Sequence, residues 1–156
     1  MIAIGSDHGG VELKEFLVDH LRAHGKDVED CGTQGSGSVD YPDYGRAVSE
    51  RVANGAAERG VLICTSGIGM SIVANKFPGV RAALVADLDT ARLSREHNDA
   101  NVLVLSGAKT APVLAREIIE TWLATPFAGG RHQRRIDKIT KVEIELGSQR
   151  KEPAKR

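Results

Sequence analysis

A chain of 156 residues, 41% hydrophobic and 27% charged, holds enough apolar material for one ordinary core. Its 21 basic and 21 acidic side chains cancel, which argues against nucleic acid or a membrane surface as a partner and leaves any anion site to be local. Two cysteines are too few for a disulfide framework. No apolar stretch nears the ~18 residues of a spanning helix, and MIAIGSDHGG lacks the marks of a secretory leader, so a cytoplasmic protein is expected.

Short β-branched runs alternate with longer amphipathic segments. Ile2–Gly5 reads as a buried strand ended by glycine. GVELKEFLVDHLRAHG follows as a helix with Val11, Phe16, Leu17 and Leu21 on its stripe and Gly25 as its stop. KDVEDCG is a weaker strand and TQGSGSVDYP a Gly/Ser-rich loop, after which Pro42 opens a helix to about Asn54. GVLICT is the clearest central strand, and a short helix starts inside GIGMSIVANK and stops before Pro78. VRAALVA is the fourth strand, DLDTARLSREHN a helix capped by Asp87, and ANVLVLSG the fifth strand. APVLAREIIETWLAT is a strongly periodic helix, and after the PFAGG break comes a last one, RHQRRIDKITKVEIE.

Five strands alternating with helices predict a single-domain, doubly wound α/β fold, a five-stranded parallel sheet with helices on both faces. The domain is expected over residues 1–146, with a polar, frayed tail over 147–156. Ligands of such sheets bind beyond the carboxyl ends of the strands, so chemistry is expected there.

The first strand ends in GSDHGG, where Asp7 and His8 meet a helix start and glycines let a ligand approach. Asp7 alone could equally be a cap; the adjoining His8 tilts the pair towards binding. The third strand ends in ICTSGIGMS, a thiol, two hydroxyls and two glycines on a turn into a helix. Backbone N–H groups of such a turn favour negative charge and would favour Cys64 as a thiolate. The alternative is an inert thiol, which suits Cys31. A dinucleotide reading is weak, since SGIGMS lacks the third glycine and follows the third strand, and no Walker loop occurs.

His97 and Asn98 end a helix before the fifth strand, open to solvent or to a partner subunit; His97 could also serve only the helix dipole. Arg131 and Arg135 are four apart, so both guanidinium groups project from one face at a helix N-terminus and suit a phosphate, while His132 and Arg134 are expected to be solvated.

Taken together, IGSDHGG, DYPDY, GIGMSIVANK, SREHND and GGRHQRRI resemble the type B ribose-5-phosphate isomerases, a family that includes galactose-6-phosphate and related isomerases. The resemblance covers nearly the whole chain, and its five separated motifs in order are specific. It implies a flavodoxin-like subunit, a homodimer or homotetramer with sites between subunits, and neither metal nor organic cofactor. By position, it implies Cys64 as the base that moves a proton between C2 and C1 of a sugar phosphate, with Thr65, Ser66, Gly67, Ile68 and Gly69 around the enediolate. His97 would open the sugar ring with Asn98 beside it, Asp7 and His8 would bind substrate, Tyr41 would wall the pocket, and Arg131 and Arg135 would hold the phosphate. Some members instead place a catalytic Glu just after the glycine loop; here that position is Met70, which cannot take a proton. Many members carry an Arg after the fifth strand, where this chain has Ala108 and Lys109, which bears on the sugar length accepted.

The residue types suit such a reaction. A thiolate over C1 and C2 is the base, while loop N–H groups and the Ser66 hydroxyl meet the developing charge. An imidazole, with an ordinary pKa near ~6.5, opens the cyclic sugar, and arginines on the non-reacting phosphate orient the chain. Two other readings stand beside this one. The substrate could be another sugar phosphate (galactose, allose or tetrose phosphate), or the chain could be a non-catalytic nucleotide-binding module on the same fold.

Overall fold

The structure, a computed structural model, describes residues 1–149. Five strands, β1 (Ile2–Ser6), β2 (Val28–Asp30), β3 (Arg59–Cys64), β4 (Ala82–Leu84) and β5 (Val102–Ser106), form one parallel sheet in the order β2-β1-β3-β5-β4. The helices are α1 (Val11–Ala23), α2 (Tyr41–Ala53), α3 (Ile68–Ala74), α4 (Leu88–Asn98), α5 (Pro112–Ala124) and α6 (Arg131–Gln149), with a 3₁₀ turn over His8–Gly10. This is the expected Rossmann-like α/β architecture. Compared with the flavodoxin order, its last two strands are exchanged. The connections reverse direction at the β1/β3 boundary, which makes the loops after those strands the crevice.

Period-two alternation sorts the strand residues between two cores. Ile4, Val61, Ile63, Leu103 and Leu105 face Leu17, Leu21, Ile118 and Trp122 of α1 and α5. Ala3, Leu62, Cys64, Val102 and Val104 face Val48 of α2 and Met70 of α3. Met70 is fully buried there, so its thioether fills the core beneath the glycine loop.

Four local expectations are corrected. The buried stripe of α1 is Leu13, Lys14, Leu17, Val18 and Leu21, whereas Phe16 is 37% exposed. The fourth strand shrinks to three residues at the sheet edge, where the Asn101 side chain accepts from the Arg81 N–H. Tyr41 rather than Pro42 opens α2, with the proline in the first turn. And α6 continues past Gly147 to Gln149, its last turn closed by Ser148 Oγ donating to the Ile144 carbonyl at 3.0 Å; the tail beyond lies outside the described residues. The Asp87 cap forms as expected: its carboxylate accepts from the Thr90 N–H at 2.7 Å, and that bond holds the carboxyl below its ordinary pKa.

Candidate active site

The loops after β1, β3 and β5 interlock at the carboxyl edge of the sheet. The Gly107 N–H donates to the Cys64 carbonyl at 2.8 Å and the Ala108 N–H to the Thr65 carbonyl at 3.1 Å. Ser106 Oγ donates to the same Thr65 carbonyl at 2.8 Å. A side chain at Gly9 would strike the Thr65 hydroxyl, and one at Gly107 the Gly9 carbonyl, so both contacts require glycine.

Cys64 closes β3 and is 5% exposed. Chain direction then reverses through Gly67, whose φ of +78° belongs to the left-handed region and whose N–H donates to Cys64 Sγ at 3.1 Å. Thr65, Ser66 and Ile68 are exposed around it, and Ser66 Oγ accepts from the Ile68 N–H at 3.3 Å. A side chain at Gly69 would strike the Tyr41 ring, so the half-exposed Tyr41 lies over the start of α3 as a wall. Asp7 is buried and accepts from the Gly9 N–H at 2.9 Å, which is the cap considered above. Lys109 is exposed at this same edge, its N–H donating to Ser106 Oγ at 3.2 Å.

The loop from Cys31 to Asp40 closes over one side. His8 is exposed and its Nδ1 accepts from the Val39 N–H at 3.2 Å, which leaves Nε2 as the ring donor for a ligand. The other end of the loop is held by Asp30, which accepts from the Gly32 N–H at 2.9 Å, from Gln34 and from Lys14. Lys14 is fully buried, where a lysine is rarely found unless it is paired. Burial alone would raise the Asp30 carboxyl, yet the bonds from Lys14, Gly32 and Gln34 outweigh it and hold it below its ordinary pKa. Cys31, between these groups, is half-buried and its thiol is pushed up by burial first, which fits an inert cysteine.

A stability prediction follows from the sign of the Asp30 shift. A carboxyl depressed in the folded state contributes fully above its unfolded pKa of ~3.9 and loses that contribution as pH falls through the folded value. Asp30→Asn leaves Lys14 buried without its counter-charge and is expected to cost about 3 kcal/mol near neutral pH. In urea titrations the gap to the parent should shrink below about pH 4. A gap independent of pH would show that the charge on Asp30 contributes nothing.

The remaining candidates lie elsewhere. α4 runs back along the sheet, so His97 and Asn98 come out at the amino edge, just before β5, where the Gly60 N–H meets the Asn101 carbonyl at 2.9 Å. The turn after them is clamped. Asp99, at φ +44°, sits between Arg95 Nη1 at 2.8 Å and Arg81 Nη2 at 3.0 Å, and Arg81 Nε donates to the Asn98 carbonyl at 2.9 Å. The first turn of α6 lies against this end of α4: the Ala128 N–H donates to the Glu96 carbonyl at 3.0 Å, and the His132 ring stacks on His97. Arg131 and Arg135 are exposed beside it, as is Arg134. His132, expected in solvent, is 7% exposed, because the helix turns its ring and Ile136 inward together.

One chain therefore does not bring Cys64 and His97 together. Gly60 pairs with Val102 and Cys64 with Ser106, and at ~3.3 Å per residue those four steps alone separate the two edges by about 13 Å. A groove of about 520 Å³ also opens at the amino edge, lined by Asn98 and Arg81 and by Ile139, Val142 and Leu146 of α6. It is mostly apolar and distant from the thiol. Along α6 only His132 and Ile136 are buried among residues 131–148, so most of its apolar face has no cover among the described residues.

Comparison with known proteins places the chain in one family. The family model described as Ribose/Galactose Isomerase matches residues 2–139. The ribose-5-phosphate isomerase B of Escherichia coli (strain K12) is 45% identical over 142 residues, spanning 91% of this chain and 95% of that protein. The Clostridium thermocellum ribose-5-phosphate isomerase B structure superposes with a TM-score of 0.92 at 50% identity, over 93% of this chain and 98% of that one. The Mycoplasma genitalium enzyme, solved with bound ribulose-5-phosphate, gives 0.90 at 42% identity, over 92% and 96%. The chain belongs to the ribose/galactose isomerase family and is by that membership a sugar isomerase.

Proposed function

We propose that the protein interconverts ribose 5-phosphate and ribulose 5-phosphate in the cytoplasm, as a homodimer or homotetramer whose sites combine two copies. The observation that carries this reading is Cys64 Sγ at the end of β3, receiving the Gly67 N–H at 3.1 Å beneath an open glycine loop. In the mechanism the Cys64 thiolate takes the C2 proton of the open-chain aldose and returns it to C1, while the O2 proton moves to O1. The enediolate between the two steps is met by the loop Thr65–Gly69 and the Ser66 hydroxyl. His97 of a second copy, with Asn98 beside it, exchanges the proton that opens the furanose. Asp7, His8 and Tyr41 line the carboxyl edge, and Arg131 and Arg135 supply two exposed forks for the phosphate.

The separation of Cys64 from His97 and the uncovered apolar face of α6 support the shared site. Replacing Arg131 and Arg135 together with Ala is expected to raise KM by about 10²-fold or more, since each charge-assisted bond is worth ~1.5–3 kcal/mol. An unchanged KM would remove both from the phosphate.

The test of the function is proton NMR of the protein with ribose 5-phosphate in D2O. Ribulose 5-phosphate should appear with deuterium at C1; no conversion by folded, oligomeric protein would overturn the assignment. Lys109, exposed beside the Cys64 loop, favours a second reading, a six-carbon or four-carbon sugar phosphate as preferred substrate. That reading is dropped if kcat/KM for ribose 5-phosphate exceeds that for allose, galactose and tetrose phosphates by more than about tenfold.

A further inference from the structure

The ring of His132 lies flat on that of His97, with centroids 4.2 Å apart and planes within 8°. Its backbone is fixed on two sides. The His132 N–H donates to the Gly129 carbonyl at 3.0 Å, and the Ala128 N–H ties the approach to α6 onto the Glu96 carbonyl. Between these anchors Gly129 and Gly130 take φ of +64° and +57°, a double left-handed turn that aims the first helical turn at the end of α4. Ile136, one turn on, is 6% exposed and seats the same face.

We infer that His132 is a positioning residue for His97, its flat face fixing the plane of the catalytic imidazole and leaving the ring edge free for the sugar. The inference rests on the reading of His97 as the ring-opening group. A face-to-face stack covers one side of a ring and none of its edge, so the His97 nitrogens stay available while rotation about its side chain is stopped.

The charges around the pair support one neutral partner. His132 faces Glu96 and His97 on α4 and Arg131 and Arg135 on its own helix, while the segment Thr125–Gly130 between α5 and α6 brings no titratable side chain. Burial first, then His97 and the two arginines, push His132 below the ordinary histidine value, against a smaller opposing effect of Glu96. A neutral His132 lets its partner take up a proton without a second cation stacked upon it.

The chemistry separates positioning from mere support. Net conversion of cyclic ribose 5-phosphate needs ring opening followed by proton transfer. Exchange of the C1 hydrogen of ribulose 5-phosphate with D2O needs only proton transfer, because a ketose with its O5 phosphorylated has no furanose to open. His132→Ala is expected to lower net conversion by about tenfold or more while C1 exchange stays within about twofold. His132→Phe, which restores a flat face, should recover most of the conversion. A parallel fall in both rates, or no fall in either, overturns the inference. His97→Asn serves as the control: if it shows no such split, the ring-opening reading itself has failed. If it shows the split and His132→Ala does not, only the positioning role is lost.

Discussion

Replacing Cys64 with Ala is expected to lower turnover by about 10³-fold or more, the range of a general base, with sugar-phosphate binding retained. The loop that follows it offers no second base. Thr65 and Ser66 offer hydroxyls, and Met70 is a fully buried thioether. The cost in folding should be small, since alanine keeps the Cβ of a residue that is 5% exposed and only the sulfur is lost. The Gly67 N–H loses its acceptor, and a water can replace the sulfur at this edge. The measurement is the same NMR experiment in D2O, with binding followed by titration calorimetry. Both net conversion and C1 exchange should disappear together, unlike the split expected at His132. Conversion near the parental rate would remove Cys64 as the base.

Mixing two inactive variants is expected to restore activity. If Cys64 of one copy works with His97 of another, a Cys64→Ala chain paired with a His97→Asn chain has one site with both defects and one with neither. Random re-pairing of equal amounts as dimers makes half of the dimers mixed, each with one sound site, so about a quarter of the parental activity should return. Each variant alone, taken through the same unfolding and refolding, should remain inactive. Mixed oligomers that form but show no turnover would mean that each chain completes its own site, which the 13 Å or so between the sheet edges would require it to do by rearrangement.

Much of this arrangement is legible in the sequence because it is local. A strand, a polar residue and a glycine turn into a helix are neighbours in the chain, so the Cys64 loop and the Asp87 cap can be read directly. Lys14 was less accessible. Its spacing to Leu17, Val18 and Leu21 is that of a core stripe, but its charge suggests a surface, and its partner Asp30 lies in a different element, on β2. His132 carries the same signal, with Ile136 four residues on. The placing of β5 between β3 and β4 has no local mark at all, since all three are short apolar runs distinguished only by their pairing. Phe16 misled for the opposite reason: it is apolar, and stays 37% exposed.

The glycine contacts at the carboxyl edge also bear on how the family can diversify. Gly9 against Thr65 and Gly107 against Gly9 tie three loops into one unit, so a change in any of them disturbs the others and the thiol with them. Room for drift lies at the margins. Lys109 is exposed just past Gly107, and residues 34–38 form an exposed loop pinned only at its ends, by Asp30 and by His8. New substrate lengths would therefore be gained by altering the rim while the reacting centre is inherited unchanged, so relatives that differ in sugar preference should differ at those positions and agree at the glycines.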